Sequence, residues 1–253
     1  MNNIPVYVLS NPKHHWLLPG FAYCFNTFWN GKKSVRQPVK VLSTGKRDKF
    51  IDQLPMNFKY KSIRDNAYHV NEWSDFVIQC MRTIKDEHFI LMLEDYWLNA
   101  HVKLQIVYDL FEYITGLYEH EDLLRIDLTA DRASKKRISD FEHFKGIDII
   151  SSSRNSKYQM SFQAAIWNRR NFQSTLVKGE TPWEAEINGT KRLQNHPKLG
   201  HLLVLGTKNR PVPYYPVYRA HKRILNTKVI PKKHFDIMTK KGILTRKKGI
   251  GWV

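Results

Sequence analysis

Phe89-Ile90-Leu91-Met92-Leu93 is a continuous apolar run of five residues that stops abruptly at Glu94-Asp95. A short unbroken run of this kind is that of a strand covered on both faces, and such strands belong to sheets with helices packed on either side. The flanks agree. Trp73 to Ile84 carries apolar residues at 73, 76, 77, 80, 81 and 84, and Val102 to Leu117 carries Val102, Ile106, Leu110, Tyr113 and Leu117 along one face; both spacings are helical.

Further strands read out along the chain. Ile4 to Leu9 is stopped by Ser10-Asn11-Pro12, and Val39 to Ser43 by Thr44-Gly45. Leu123 to Leu128, Ile147 to Ser151, Leu202 to Leu205 and Val212 to Val217 follow, while Ser161 to Trp167 is expected to lead into a helix through Phe172. Thr181-Pro182-Trp183-Glu184 has the form of a helix start, with Thr181 as cap, Pro182 in the first turn and Glu184 three residues after the cap. The expected fold is α/β: a mixed, mostly parallel, Rossmann-like sheet flanked by helices. One domain, 1–231, is expected, followed by a basic, partly disordered tail, 232–253. Ligands of such sheets sit at the carboxyl ends of the strands.

The formal net charge of +18 is concentrated at one end. Residues 189–253 hold 16 Lys and Arg against a single acid, Asp236. This asymmetry points to a polyanionic partner, or else to a solvated basic face that aids solubility. No apolar stretch approaches the length of a membrane span, and Met1 to Pro5 lack the pattern of a secretory leader. Cys24 and Cys80 lie far apart without metal-site spacing, as reduced thiols of a cytoplasmic protein do.

Two acidic sites stand out. Glu94-Asp95 sits directly after a buried strand, where carboxylates are costly unless paired, hydrogen-bonded or metal-bound. Mg²⁺ and Mn²⁺ prefer such oxygens and are commonly shared with substrate phosphates. The same acids would equally cap the following helix or face solvent. In Gly179-Glu180-Thr181-Pro182-Trp183-Glu184-Ala185-Glu186, two acids flank a small residue beside a large aromatic. An apolar wall raises a carboxyl pKa and suits it to proton transfer. The competing reading of Glu184 is the capping box alone.

Taken in order, Leu93-Glu94-Asp95-Tyr96-Trp97-Leu98, Ile126-Asp127-Leu128-Thr129, Ser161 to Asn168 and Gly179 to Glu186 resemble the segments of GT-A-like nucleotide-sugar glycosyltransferases, over roughly residues 4–225. Many small relatives of that type are encoded by bacteriophages and large viruses. The resemblance implies a GT-A fold and a divalent metal, Mn²⁺ or Mg²⁺. Asp95 would be the metal ligand and Glu94 a ribose or outer contact. The family motif is Asp-X-Asp, whereas here the acids are adjacent. Glu184 would be the general base of an inverting transfer and Trp183 a wall of the acceptor site. Ser10, Asn11, Thr44 and Gly45 would hold the nucleotide. His221 would be a late metal ligand or diphosphate contact, although a histidine in a basic segment is commonly a surface residue.

Phage enzymes of this type include ones that glycosylate modified bases in DNA, which gives the basic quarter a second meaning. Arg210, Arg219, Lys222, Arg223, Lys228, Lys232, Lys233 and Arg246-Lys247-Lys248 form a candidate phosphate-binding set, joined by the loop Ser134 to Arg137. Asp127, Arg219, Lys222 and Arg223 are the acceptor contacts expected with Trp183. Tyr214, Tyr215 and Tyr218 would stack on a base or simply pack in a strand. The expected activity is transfer of a sugar from a nucleotide-sugar to a hydroxymethylated pyrimidine in DNA, or to a sugar already on it. A glycan, lipid-linked or protein acceptor is the alternative within the same chemistry. A nucleic-acid-binding protein without enzymatic activity is the alternative outside it.

Overall fold

The computed structural model describes residues 4–29, 36–116 and 122–253. In chain order the elements are β1 (Val6–Leu9), α1 (Leu18–Phe28), β2 (Val39–Ser43), β3 (Phe58–Ser62), α2 (Trp73–Thr83), β4 (His88–Leu93), β5 (Tyr96–Leu98), α3 (Leu104–Gly116) and β6 (Leu123–Asp127). There follow β7 (Ile138–Phe144), β8 (Ile147–Ser152), β9 (Ala165–Asn168), α4 (Arg169–Thr175), α5 (Pro182–Asn195), β10 (Leu203–Thr207), β11 (Tyr214–Pro216), β12 (Tyr218–Arg219), β13 (Ile224–Leu225), α6 (Lys232–Lys240) and β14 (Gly251–Trp252). The helix read over 102–117 is α3, and Leu117 lies outside the described residues.

Among the described residues the main sheet has nine strands in the order β3-β2-β1-β4-β9-β6-β10-β8-β7. Neighbours β3-β2-β1-β4 are parallel, as are β6 and β10, while β9 and β8 run against their neighbours. The expected mixed, mostly parallel sheet flanked by helices is therefore what forms. Strand order runs outward from β1 to β2 and β3, then returns to β4 on the other side of β1. That reversal is a topological switch point, and ligands of such sheets bind beyond the carboxyl ends of the strands there, here β1 and β4.

Two apolar layers hold the helices to the sheet. Along β1 and β4, Val6, Val8, Ile90 and Met92 face one layer, with α1 and α3, while Tyr7, Leu9, Phe89 and Leu91 face the other, with α2, α4 and α5. The alternation is the period-two geometry of a strand, and covering both faces is why these strands read as unbroken apolar runs. In α1, Gly20 is required by close packing: a Cβ there would stand 2.1 Å from the Trp97 ring.

One expectation is met and one is corrected. Ser161 to Trp167 leads into a helix through Phe172: its apolar end forms β9, buried between β4 and β6, and α4 follows from Arg169. The segment from Lys232 is not a disordered tail. It folds as α6 and β14, buries Met238 and Leu244 in the core, and pairs β14 with β13.

Candidate active site

The site at the switch point is lined first by the residues after β1. The Asn11 side chain caps the 3₁₀ turn Pro12–Leu17 by accepting from Lys13 N at 2.9 Å. That turn carries His14 back over β4. Glu94, buried at the end of β4, accepts from Asn11 N at 3.3 Å and His14 Nδ1 at 3.1 Å. Burial opposes a charge on His14, but the hydrogen bond and charge of Glu94, with Asp95 beyond, hold its pKa above the ordinary imidazole value. Glu94 is thereby fixed as the link between the two strand ends.

Asp95 is left half-buried beside it. Burial and the charges of Glu94 and Glu186 push its pKa up to about 7, against His14 and a backbone hydrogen bond. Its carbonyl accepts from Val217 N at 2.8 Å and Tyr218 N at 3.2 Å, which seats β12 at the rim. Tyr96 packs on Tyr214 with ring centroids 5.2 Å apart. Burial and the charges of Asp95, Glu186 and Asp131, opposed by Arg219, push its pKa up to about 12.

Glu186 is the acid of α5 that faces this cluster. Its Oε1 accepts from Phe162 N at 2.8 Å, and burial raises its pKa against that hydrogen bond and the charges of Arg125 and Lys135. Glu184 points the other way. It is the third residue of the capping box, bonded to Thr181 N at 2.9 Å, and those bonds lower its pKa. Trp183 is on the same outer side, 55% exposed. The charge of Glu186 thus reaches Asp95, while Glu184 is committed to the cap on the outer side.

Behind the site lies a buried ionic group. Arg125 and Asp127, both fully buried, pair at 2.8 Å, and Arg132 Nε lies 3.2 Å from the other oxygen of Asp127. The Arg125 guanidinium sits 4.9 Å from the Trp167 ring centroid. Asp127 is therefore held by two arginines inside the molecule, and its expected contact with an acceptor is corrected: no face of it reaches solvent.

Beside Glu94 and Asp95 lie the ends of β1 and β2. Ser10 N donates to Leu42 O at 3.0 Å, and the chain turns after Thr44 at Gly45, whose φ of +76° suits glycine. Ser10 Oγ and Thr44 Oγ1 are buried and have no hydrogen-bond partner among the described residues. His15 closes the far side by bonding Ser43 Oγ at 2.8 Å and Asp48 at 2.9 Å.

The basic quarter reaches the rim of this site. Lys247 Nζ lies 5.6 Å from the Trp16 ring centroid and opposes the charge of His14, and Tyr218 packs edge-on against both Trp16 and His14. Arg219, Lys222, Arg223 and His221 are exposed. His221 lies in the 3₁₀ turn Ala220–Lys222, and the histidine at the carboxylates is His14 instead. Tyr214 is a packed residue, its hydroxyl bonded to Leu93 O at 2.5 Å, whereas Tyr215 is exposed.

Among the described residues no three His, Cys, Asp or Glu side chains converge as a metal cage. The donors present suit a different arrangement. Mg²⁺ is commonly bound by one or two carboxylates plus substrate phosphates, and the pKa of Asp95 is raised partly by like charges that a cation would offset. Asp95 fits as the protein ligand of such a shared ion.

The sequence held signals for the residues that composition alone misses. Asn11-Pro12-Lys13-His14 follows a strand, and Glu186 lies one turn before Gly189 and Thr190 on the buried side of α5. Arg125 and Lys247 had no local signal.

No family model and no curated protein matches the chain. Among solved structures, 98% of the chain aligns with 99% of a cytidylyltransferase from Leptospira borgpetersenii serovar Hardjo-bovis (strain JB197), at 9% identity and a TM-score of 0.44. A CMP:2-keto-3-deoxy-manno-octonic acid synthetase complexed with CTP aligns over 81% of this chain and 89% of its own, at 11% identity and a TM-score of 0.39. A mycobacterial protein aligns over 81% of this chain and 65% of its own, at 9% identity and a TM-score of 0.45. At this degree of similarity the fold rests on the strand order itself.

Proposed function

We propose that the chain is a nucleotide-sugar-dependent glycosyltransferase of GT-A type, with Glu186 rather than Glu184 as the general base. The observation that supports this reading is that Glu186, on the inward side of α5, is near enough for its charge to act on Asp95 at the carboxyl end of β4, beside the switch point. Ser10, Asn11, Thr44 and Gly45 hold the nucleotide, for which the buried hydroxyls of Ser10 and Thr44 are available donors.

In the proposed reaction Glu186 takes the proton of an acceptor hydroxyl as its oxygen bonds to the anomeric carbon. The bond from that carbon to the nucleotide's phosphate oxygen breaks, and its electron pair leaves with the diphosphate. A divalent ion held by Asp95, when bound, supplies Lewis-acid stabilisation of that charge. Lys247 and Arg219 stand at the rim to meet the same charge. His14 and Glu94 orient the strand end, and the transfer is proposed to invert the anomeric carbon.

The acceptor proposed is a hydroxymethylated pyrimidine in DNA, or a sugar attached to one. This rests on the exposed cations of the last quarter, with exposed Trp183 and Tyr215 as surfaces for a base or sugar. No helix among the described residues is long and apolar enough to cross a membrane. The two buried free thiols suit the cytoplasm, where the reaction is proposed to occur.

The test is to supply Mg²⁺ or Mn²⁺, a panel of nucleotide-sugars and hydroxymethylcytosine-containing duplex DNA, then to weigh the digested nucleosides. A hexose or pentose increment is expected, and Glu186→Gln should lower its rate about 10²- to 10⁴-fold. Donor hydrolysis without an increment moves the acceptor to a glycan, lipid-linked sugar or protein. No response to any nucleotide overturns the reading.

A further inference from the structure

Arg125 stands on the central strand β6 with its side chain fully buried, a position where a charge is costly unless it is well paired. Its guanidinium lies 2.8 Å from Asp127 and 3.7 Å from Asp131, and its Nη1 donates to the Ser161 carbonyl oxygen. That carbonyl belongs to the peptide group whose N–H is on Phe162. The Phe162 N–H donates to Glu186 Oε1 at 2.8 Å. One amide therefore joins the buried cation to the carboxyl group proposed as base.

A cation on the oxygen of an amide draws electron density from its nitrogen and makes the N–H a stronger donor. A stronger donor favours the ionised form of the carboxyl it serves. We propose that Arg125 is a positioning residue for Glu186, acting through the Ser161–Phe162 peptide group rather than on substrate. The inference rests on the reading of Glu186 as base.

The remainder of the ionic group serves this arrangement. Arg132 grips the far side of Asp127 and is itself held by Gln159 Oε1 at 2.9 Å. Gly206 on β10 leaves room for it, since a Cβ there would stand 2.4 Å from Arg132 Cβ. The chain of contacts thus runs from β10 through Arg132, Asp127 and Arg125 to the peptide and Glu186. The charges that face Glu186 come from three places. Arg125 lies on β6, Asp131 and Lys135 on the loop after it, and Asp95 and Tyr96 after β4. Arg125 is the one among them that also grips the peptide.

The test is an NMR titration of the Glu186 carboxyl and the Phe162 amide in the full chain, alongside the pH profile of kcat/KM. In the wild type the Phe162 amide proton should titrate with the same midpoint as Glu186. Arg125→Lys keeps a cation for Asp127 but loses the fork. It should raise that midpoint and the acidic limb of kcat/KM together by roughly one pH unit, a tenfold change in proton affinity. KM for the donor should hold. A Phe162 amide indifferent to Glu186, or an unmoved midpoint in Arg125→Lys, overturns the relay alone. If the variant does not fold, the wild-type titration still decides, because the Arg125 guanidinium protons must shift with the Glu186 midpoint alongside the Phe162 amide, and their indifference overturns the relay. Full turnover in Glu186→Gln would overturn the base assignment and the relay with it.

Discussion

Glu184 and Glu186 stand two residues apart on α5, about 200° around the helix axis. Thr181 sets the phase. Because its side chain caps the helix, Glu184 falls at the third position and bonds back to the Thr181 N–H, while Ala185, Glu186, Gly189 and Thr190 turn inward. Glu184→Gln should lower the melting temperature slightly and leave turnover within about twofold, because the side chain serves the cap. Glu186→Gln should do the reverse, and its effect on stability should depend on pH. Burial raises the folded pKa of Glu186 above its ordinary 4.5, so ionising it opposes folding. That cost is absent below the unfolded pKa and grows as pH rises through the folded one. The variant's gain in melting temperature over the wild type should therefore be larger at about pH 8 than at about pH 5. An equal gain at both would show that Glu186 is not held against its charge. The motif Trp183-Glu184-Ala185-Glu186 shows two acids but not their sides, and the capping box was the clue to which one is spoken for.

At the scale of strands and helices, the legible parts were those buried on both faces. β1 and β4 announce themselves as apolar runs that end in polar residues, β2 and β6 as apolar runs broken only by Lys40 and Arg125, and the ends of β1, β2 and β4 are where the candidate site lies. β9 was not set apart as a strand because Ala164-Ala165-Ile166-Trp167 is apolar throughout, and a short run of that kind has no period to separate strand from helix. β3 and β7 escaped notice because they are the sheet's edges. β3 mixes Lys59 and Lys61 with its apolar residues, and β7 is exposed along most of its length. The strand ends also carry a test of the donor site. A buried hydroxyl without a partner gives the free protein nothing that a methyl group would not. Ser10→Ala and Thr44→Val should leave stability unchanged or raise it by up to about 1 kcal/mol, and weaken nucleotide binding by roughly tenfold. Melting curves and calorimetric titration with nucleoside diphosphates measure the two effects. Unchanged affinity in both variants would remove these hydroxyls from the nucleotide site.

For the molecule as a whole, charge was the loudest feature of the sequence, and its structural meaning was the least legible. Fifteen net positive charges in 189–253 pointed to a polyanionic partner, and 232–253 was expected as a partly disordered tail, yet that last segment is anchored by Met238, Leu244 and the pairing of β14 with β13. Composition registers the repulsion and not the few apolar anchors that overcome it. The anchoring also decides how a polyanion partner must be tested. Removing 232–253 would strip the core of Met238 and Leu244 and unfold the protein, so the loss of DNA binding would prove nothing. Neutralising exposed lysines leaves the core intact. Lys222, Lys228, Lys233 and Lys248 are exposed, and none of them is among the residues proposed to hold the donor. If the basic quarter lies along a duplex, log K against log salt should have a steep negative slope, and each phosphate contact contributes about −0.9 to it. Changing all four lysines to Gln should flatten the slope by roughly 3 to 4, while donor hydrolysis without DNA stays as it was. A slope that does not move would make these charges a solubilising surface and return the acceptor to glycans, lipid-linked sugars or proteins. A slope that flattens by only one or two would confine the footprint to part of the set, and single substitutions would then map it.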